Sequence, residues 1–427
     1  MTDALLRRVN PSEITSVVKP PVDAETLDAA RTIVDDVRDR GLDALRDHAE
    51  RFGERTRDQP ILLDTSAMSC AFESLDERDR AVLVRTAERI ERFARAQRAC
   101  ITDLDTDVPG GRAGHTVVPV TNAGCYAPGG RYPLPSSALM TAVTARVTGC
   151  QRVVVASPGA HRVTLAAAHV AGADEFLAVG GAHAVAALAF GCEGFERVDV
   201  IAGPGNAYVT AAKQLVSGVV GIDMLAGPSE LLVLADDSAD PAVIAADLLA
   251  QAEHDTRAVP ILVTTCDALP DLVEAQLRAQ LDALRTRDVA AQALANGYAC
   301  VAPNLDDAIR VCDTVAPEHL EVMTRDAEGV GQRLRNAGAL FLGATSAEVF
   351  GDYGAGPNHT LPTGGTARFQ SGLSITHFLR LRTWLSIEDP AGSGLIDDVR
   401  RLAELEGLAG HEASAAKRAD SGSDPGI

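Results

Sequence analysis

The sequence predicts an α/β protein: two doubly wound, Rossmann-like parallel sheets, with an N-terminal helical arm and a C-terminal helical tail. Three observations lead there. From about Val117, short β-branched runs alternate with Ala-rich helical stretches. Such alternation builds parallel sheets covered by helices on both faces. The runs are too many for one sheet. A chain of 427 residues also exceeds a single core, since cores stop growing near ~250–300 residues. Before Val117 the apolar spacing is helical instead.

Taken in order, residues 1–110 form the expected arm. "DAETLDAARTIVDDVRDRGLDALRDHAERFG" places Leu27, Ala30, Ile33, Val34 and Val37 on one helix face. "DERDRAVLVRTAERIERFARAQRA" repeats the pattern with Leu83, Ala87, Ile90 and Ala94. Residues 111–230 are expected as the first sheet domain. There "RVVVAS", "EFLAVG" and "RVDVIAG" each precede an Ala-rich helix. Residues 231–350 are expected as the second, with "LLVLAD", "PILVTT", "CVAP" and "ALFLG". Residues 351–427 are the remainder. Gly, Thr and Pro make 351–380 a loop, 395–412 is helical, and "KRADSGSDPGI" is a polar, frayed tail.

Composition removes several function classes. The net charge of −20 gives no basic face for phosphates, so no nucleic-acid partner is expected. The eight scattered cysteines form no CxxC pair, which implies reduced thiols in a cytoplasmic protein and metal sites built from N and O donors. No signal peptide or membrane span is expected, for want of a long uncharged apolar run.

Chemistry-bearing residues should follow strands, since doubly wound sheets bind ligands at their carboxyl ends. "AGPGNAYV", Ala202 to Val209, follows a strand. It is either a phosphate cradle at a helix start or a plain Gly-rich turn. "GCYAPGG" carries Tyr126, which could stack on a cofactor base or cap a core. "QAEHD" puts Gln251 and His254 three apart on one helix face, a spacing that gives two metal ligands or arises by chance. Asp352 and His359 stand in "GDYGAGPNHTLPT", and Glu406 and His411 in "LEGLAGHEA". Together these offer N and O ligands suited to Zn²⁺ or a similar ion. In "VAPEHLEV", Glu318 stands beside His319. Pro317 there opens a turn, Glu318 could simply be solvated, and His319 could simply start a strand.

The segments "GCYAPGG", "GPGNAYVTAAK", "IDMLAGPSE", "QAEHD", "APEHLE", "GDYGAGPNHTLPT", "RFQSGLS" and "LEGLAGH" resemble, in this order, those of the histidinol dehydrogenase family. The likeness runs to about residue 412. The resemblance implies an NAD-dependent homodimer with one zinc per subunit. It implies oxidation of a primary alcohol to a carboxylate, in two hydride transfers through a held aldehyde. By that resemblance Gln251, His254, Asp352 and His411 match zinc ligands, and Glu318 and His319 an acid–base pair. Tyr126 and Asn206 match cofactor contacts. Ser229, His359 and Glu406 match substrate contacts, with His319 and the zinc ligands also lining the substrate position. The segment carrying Glu406 and His411 is implied to cross to the partner subunit's site. His183 stands where the family usually has a cofactor-contacting glutamine, and since its imidazole can still donate one hydrogen bond, it is expected as a cofactor contact too.

Such a reaction gives "EH" two jobs. An imidazole with pKa near 6.5 can take the alcohol proton near neutral pH. The aldehyde must then be hydrated, so a water needs a base as well. His319 is assigned to the alcohol and Glu318 to the water. Three readings follow: oxidation of L-histidinol, the same chemistry on another small polar alcohol such as a sulfonated diol, or an inactive metal-binding scaffold. "RLRTWLSIEDP" and "GHEASAAKR" lean toward the second, and the intact "EH" pair speaks against the third.

Overall fold

The computed structural model describes residues 4–16, 20–129 and 132–419. The tail from residue 420 and Gly130 of "GCYAPGG" lie outside the described residues. The chain forms two compact units. One takes in the chain up to Ala96 together with Val120–Phe378, and the other takes Gln97–Pro119 with the chain from Leu379 onward.

The larger unit contains both doubly wound sheets. In the first, the order is Leu62–Leu63, Glu175–Leu177, Arg152–Ala156, Asn122–Tyr126, Val200–Ala202, Gly221–Ile222. All its pairings are parallel except that of the Leu62–Leu63 edge. In the second, the order is Arg7–Val9, Tyr298–Val301, Val259–Thr264, Glu230–Ala235, His319–Met323, Ala339–Leu342, parallel throughout. Helices cover both sides, so the central strands are mostly apolar on both faces; the exception is His319–Met323, which carries His319 and Glu321 on one face.

The helices of the N-terminal arm pack into the core. Helix Ala24–Arg40 buries Ala30, Ile33, Val34 and Val37 against Val185, Leu188 and Val209, in the core of the first sheet. Helix Glu77–Ala99 buries Leu83, Ala87, Ile90 and Ala94. The helical periodicity thus located the faces but not what they cover. Residues Arg7–Val9 add an edge strand to the second sheet, which their charged sequence hides.

The smaller unit holds a three-stranded antiparallel sheet, Leu379–Ile387, Gly111–Pro119 and Leu104–Val108. A boundary at residue 110 therefore falls inside a hairpin. Its turn, Pro109-Gly110, sets Gly110 at φ +79°, where a Cβ would lie 2.5 Å from the Asp389 carbonyl oxygen. Pro-Gly between alternating residues was the available signal. Helices Leu395–Leu405 and Ala409–Ala416 complete this unit. Among the described residues no helix is long and apolar enough to cross a membrane.

Candidate active site

The site in the second sheet is built at the amino ends of strands, not their carboxyl ends. His319 opens its strand and pairs in register with Leu231, near the start of the neighbouring one. Gln251 and His254 lie at the end of the helix Pro241–Ala252 and just beyond it. A crossover helix returns the chain to the amino edge, so that is where they must sit. In the first sheet the carboxyl-end expectation fits, since Tyr126 ends its strand and Asn206 follows Val200–Ala202.

Strand parity selects the residues. Leu320 and Val322 pack into the core on one face of the second sheet, so His319 and Glu321 share the other. Asp247 and Gln251, four apart, share a helix face there. On the short helix Glu348–Asp352 the two terminal carboxylates are again four apart. His254, Glu348 and Asp352 each offer an atom within 4.8 Å of the others. His254 Nε2 lies 3.5 Å from Asp352 Oδ2. Gln251 is fully buried. With its nitrogen toward Glu348, its amide donates to both carboxylate oxygens at 3.0 and 3.1 Å. The opposite orientation would set oxygen against oxygen. Glu348 and Glu321 are buried and escaped the sequence reading. The only signal was the Glu-x₃-Asp helical spacing.

His319 is 3% exposed. Its Nδ1 lies 3.2 Å from the Glu230 carbonyl oxygen, 3.7 Å from Glu318 Oε2 and 3.9 Å from Glu348 Oε2. A carbonyl can only accept, so Nδ1 carries the hydrogen and Nε2 the lone pair. Nε2 is buried without a hydrogen-bond partner, 3.7 Å from Asp352 Oδ1. Burial drives the His319 pKa down to about 4, against the pull of Asp352. The imidazole is therefore neutral and basic at Nε2. Glu318 is buried, not solvated, and accepts from the Glu230 N–H at 3.0 Å. Burial lifts its carboxyl well above the usual range, with the Glu230 and Asp352 charges adding to the rise.

The other titrating groups divide. Burial depresses His254, but the hydrogen bond and charge of Asp352 outweigh it and leave the pKa raised. Burial would raise Asp352, but His254 and the neighbouring imidazoles outweigh it and hold the carboxyl low. His359 bonds the Asp352 carbonyl through Nδ1 at 2.9 Å and Ser137 Oγ through Nε2 at 3.3 Å. Ser229 is half-buried, and its carbonyl accepts from Val259 N at 3.0 Å. Beneath Glu348, burial and the Asp247 charge push Glu321 up to about 8. Burial pushes Asp247 up to about 6.

At the first sheet, Asn206 caps its helix by accepting from Tyr208 N and Val209 N at 3.0 and 3.1 Å. That use of Oδ1 leaves Nδ2 as the donor for a ligand. Gly203, at φ +128°, passes so near the neighbouring strand that a Cβ would lie 2.1 Å from the Tyr126 carbonyl oxygen. Lys213 and Asp223, both buried, lock this loop. Lys213 Nζ donates to Gly203 O at 3.0 Å and Gly203 N to Asp223 Oδ2 at 2.7 Å.

Two expected cofactor contacts, Tyr126 and His183, are buried. The Tyr126 ring is buried in the core, and its hydroxyl accepts from Gly181 N at 3.0 Å. His183 is 1% exposed. Its Nε2 meets Glu54 Oε2 at 2.9 Å, and that oxygen also accepts from Gly180 N at 3.0 Å. His183 thus pairs with Glu54 through Nε2, while its buried Nδ1 has no hydrogen-bond partner. Glu406 and His411 are exposed and belong to the smaller unit, so the larger unit brings together Gln251, His254 and Asp352 without them.

Residues 19–419 match the family model described as histidinol dehydrogenase. A protein named histidinol dehydrogenase from Parasynechococcus marenigrum (strain WH8102) is 44% identical over 389 residues, covering 90% of this chain and 88% of its own. One from Thermobifida fusca (strain YX) is 42% identical over 405 residues, covering 92% of each chain. The crystal structure of histidinol dehydrogenase from Elizabethkingia anophelis matches with a TM-score of 0.92 at 31% identity, over 99% of this chain and 100% of that one.

Proposed function

The chain belongs to the histidinol dehydrogenase family, and on that premise we propose that it oxidises L-histidinol to L-histidine in two NAD-linked steps through a held aldehyde. The observation that carries the reading is His319. A buried, neutral imidazole offers an unpartnered Nε2 beside a cluster suited to a divalent cation. Gln251, His254 and Asp352 supply an amide oxygen, an imidazole and a carboxylate, with no thiolate. That donor set fits zinc, and His411 would add a second imidazole to it. When bound, zinc would polarise and orient the substrate, and NAD would accept hydride.

The chain's own residues do the rest. Nε2 of His319 takes the hydroxyl proton as the alcohol is oxidised. Glu318, in the carboxylate form that a neighbouring cation favours, takes a proton from the water that adds to the aldehyde. The hydrogen bond from Nδ1 to Glu230 O holds the ring in the tautomer that can accept. Asn206 offers Nδ2 to the cofactor. Ser229 and His359 contact the substrate. We further infer a cytoplasmic homodimer in which Glu406 and His411 complete the partner's site. The exposure of Val399, Leu402, Leu405 and Leu408 along the C-terminal helices supports this reading.

The test is NADH formed per L-histidinol, read by absorbance, with and without chelator. Two per substrate with zinc present is the expected result. No turnover of L-histidinol while a sulfonated diol is oxidised would move the activity to the second substrate class.

A further inference from the structure

We infer that Glu348 is a positioning residue that sets which atom Gln251 presents to the metal. The inference rests on the zinc reading above. A primary amide has two ends of nearly equal shape, and only the oxygen has a lone pair for a cation. Nothing intrinsic to a glutamine chooses between them. Here Gln251 is fully buried, so water cannot satisfy either end. One end of its amide faces both oxygens of Glu348, and only a nitrogen placed there donates to them, at 3.0 and 3.1 Å. In its ionised form, which a neighbouring cation favours, the Glu348 carboxylate accepts only, so it holds the nitrogen and leaves Oε1 for the ion.

Glu348 is itself held in place. It is 1% exposed. Its N–H donates to Glu321 Oε1 at 2.7 Å, which ties the start of the short helix to the His319 strand. Its Oε2 lies 3.9 Å from His319 Nδ1. The same helix carries Asp352 one turn on. One rigid turn thus supplies a ligand and the group that aims a second ligand. Partners of this kind commonly change metal affinity 10–100-fold when removed.

Glu348 also lies close enough to His254 and Asp352 to bind the ion directly, and a double-mutant cycle separates the two roles. Zinc dissociation constants are measured by chelator competition for wild type, E348D, Q251A and the double variant. E348D keeps the charge but shortens the reach. If Glu348 acts through Gln251, E348D weakens zinc ~10–100-fold in wild type and by no more than ~3-fold in Q251A, since the coupling is then lost. The cobalt(II) ligand-field spectrum should shift with E348D in wild type and stay fixed in Q251A. Equal losses in both backgrounds would make Glu348 a ligand and overturn the positioning role, while leaving the zinc site intact. No effect of E348D in either background would also overturn it. Failure of wild type to retain zinc would overturn the zinc reading and this inference with it. Should E348D not fold, as read by melting of the metal-free protein, E348Q enters the same cycle. The lost charge is then common to both backgrounds and cancels in the coupling.

Discussion

His319 Nδ1 sits 3.2 Å from the carbonyl oxygen of Glu230, on the adjacent strand. That contact fixes the ring's hydrogen on the side away from its unpartnered Nε2. Substituting His319 by Asn removes the base but no proposed zinc ligand. Turnover should fall roughly 10²–10⁴-fold, with zinc content by mass spectrometry unchanged. Loss of zinc from this variant would show that His319 binds the ion.

Zinc affinity should depend steeply on pH. The His254 pKa is raised by Asp352 in the metal-free protein, so a proton competes for the ligand nitrogen from above pH 6.5. Below that raised pKa the zinc dissociation constant should rise about tenfold per pH unit. Chelator competition between pH 8 and pH 5.5 measures it. A flat profile would remove His254 from the ligand set.

The Asp247–Glu321 pair gives stability its own pH dependence. Glu321 titrates near 8 in the folded chain and near ~4.3 when unfolded. Between those values the folded state holds a proton that the unfolded state has lost. Stability is therefore full below about pH 4 and declines as pH rises toward 8. Glu321→Gln keeps a donor toward Asp247 and should flatten this slope. Thermal melting of the metal-free protein from pH 5 to 8 reads it, and an unchanged slope would locate the buried proton elsewhere.

Complementation tests the composite site. His319→Asn and His411→Ala homodimers should each be inactive. If His411 acts on the partner's site, each mixed dimer carries both lesions in one site and none in the other. Statistical exchange should then restore about a quarter of wild-type activity. Mixed dimers that form without activity would place His411 in its own chain's site.

The parts legible in sequence were those with local periodicity. The buried faces of helices Ala24–Arg40 and Glu77–Ala99 and the strand–helix alternation needed no tertiary knowledge. Residues that meet across the fold were not legible. Glu54 reaches His183 over 129 residues, and the edge strand Arg7–Val9 finds Tyr298–Val301 at the far end of a sheet. Glu348 carried no signal of its own, because nothing local shows that the His319 strand and the Gln251 helix close over it. The carboxyl-end rule pointed to the wrong edge of the second sheet, since it describes crevices at a switch point and not residues at the return end of a crossover helix.

The central claim is that two adjacent residues divide two proton transfers, His319 serving the alcohol and Glu318 the hydrating water. A single-turnover experiment with Glu318→Gln, excess NAD and L-histidinol tests it most directly, with NADH followed by stopped-flow absorbance. The expected trace is one NADH per site at close to the wild-type rate, followed by a stall that supplied aldehyde shares. If both NADH equivalents slow by the same factor, the division of labour is wrong.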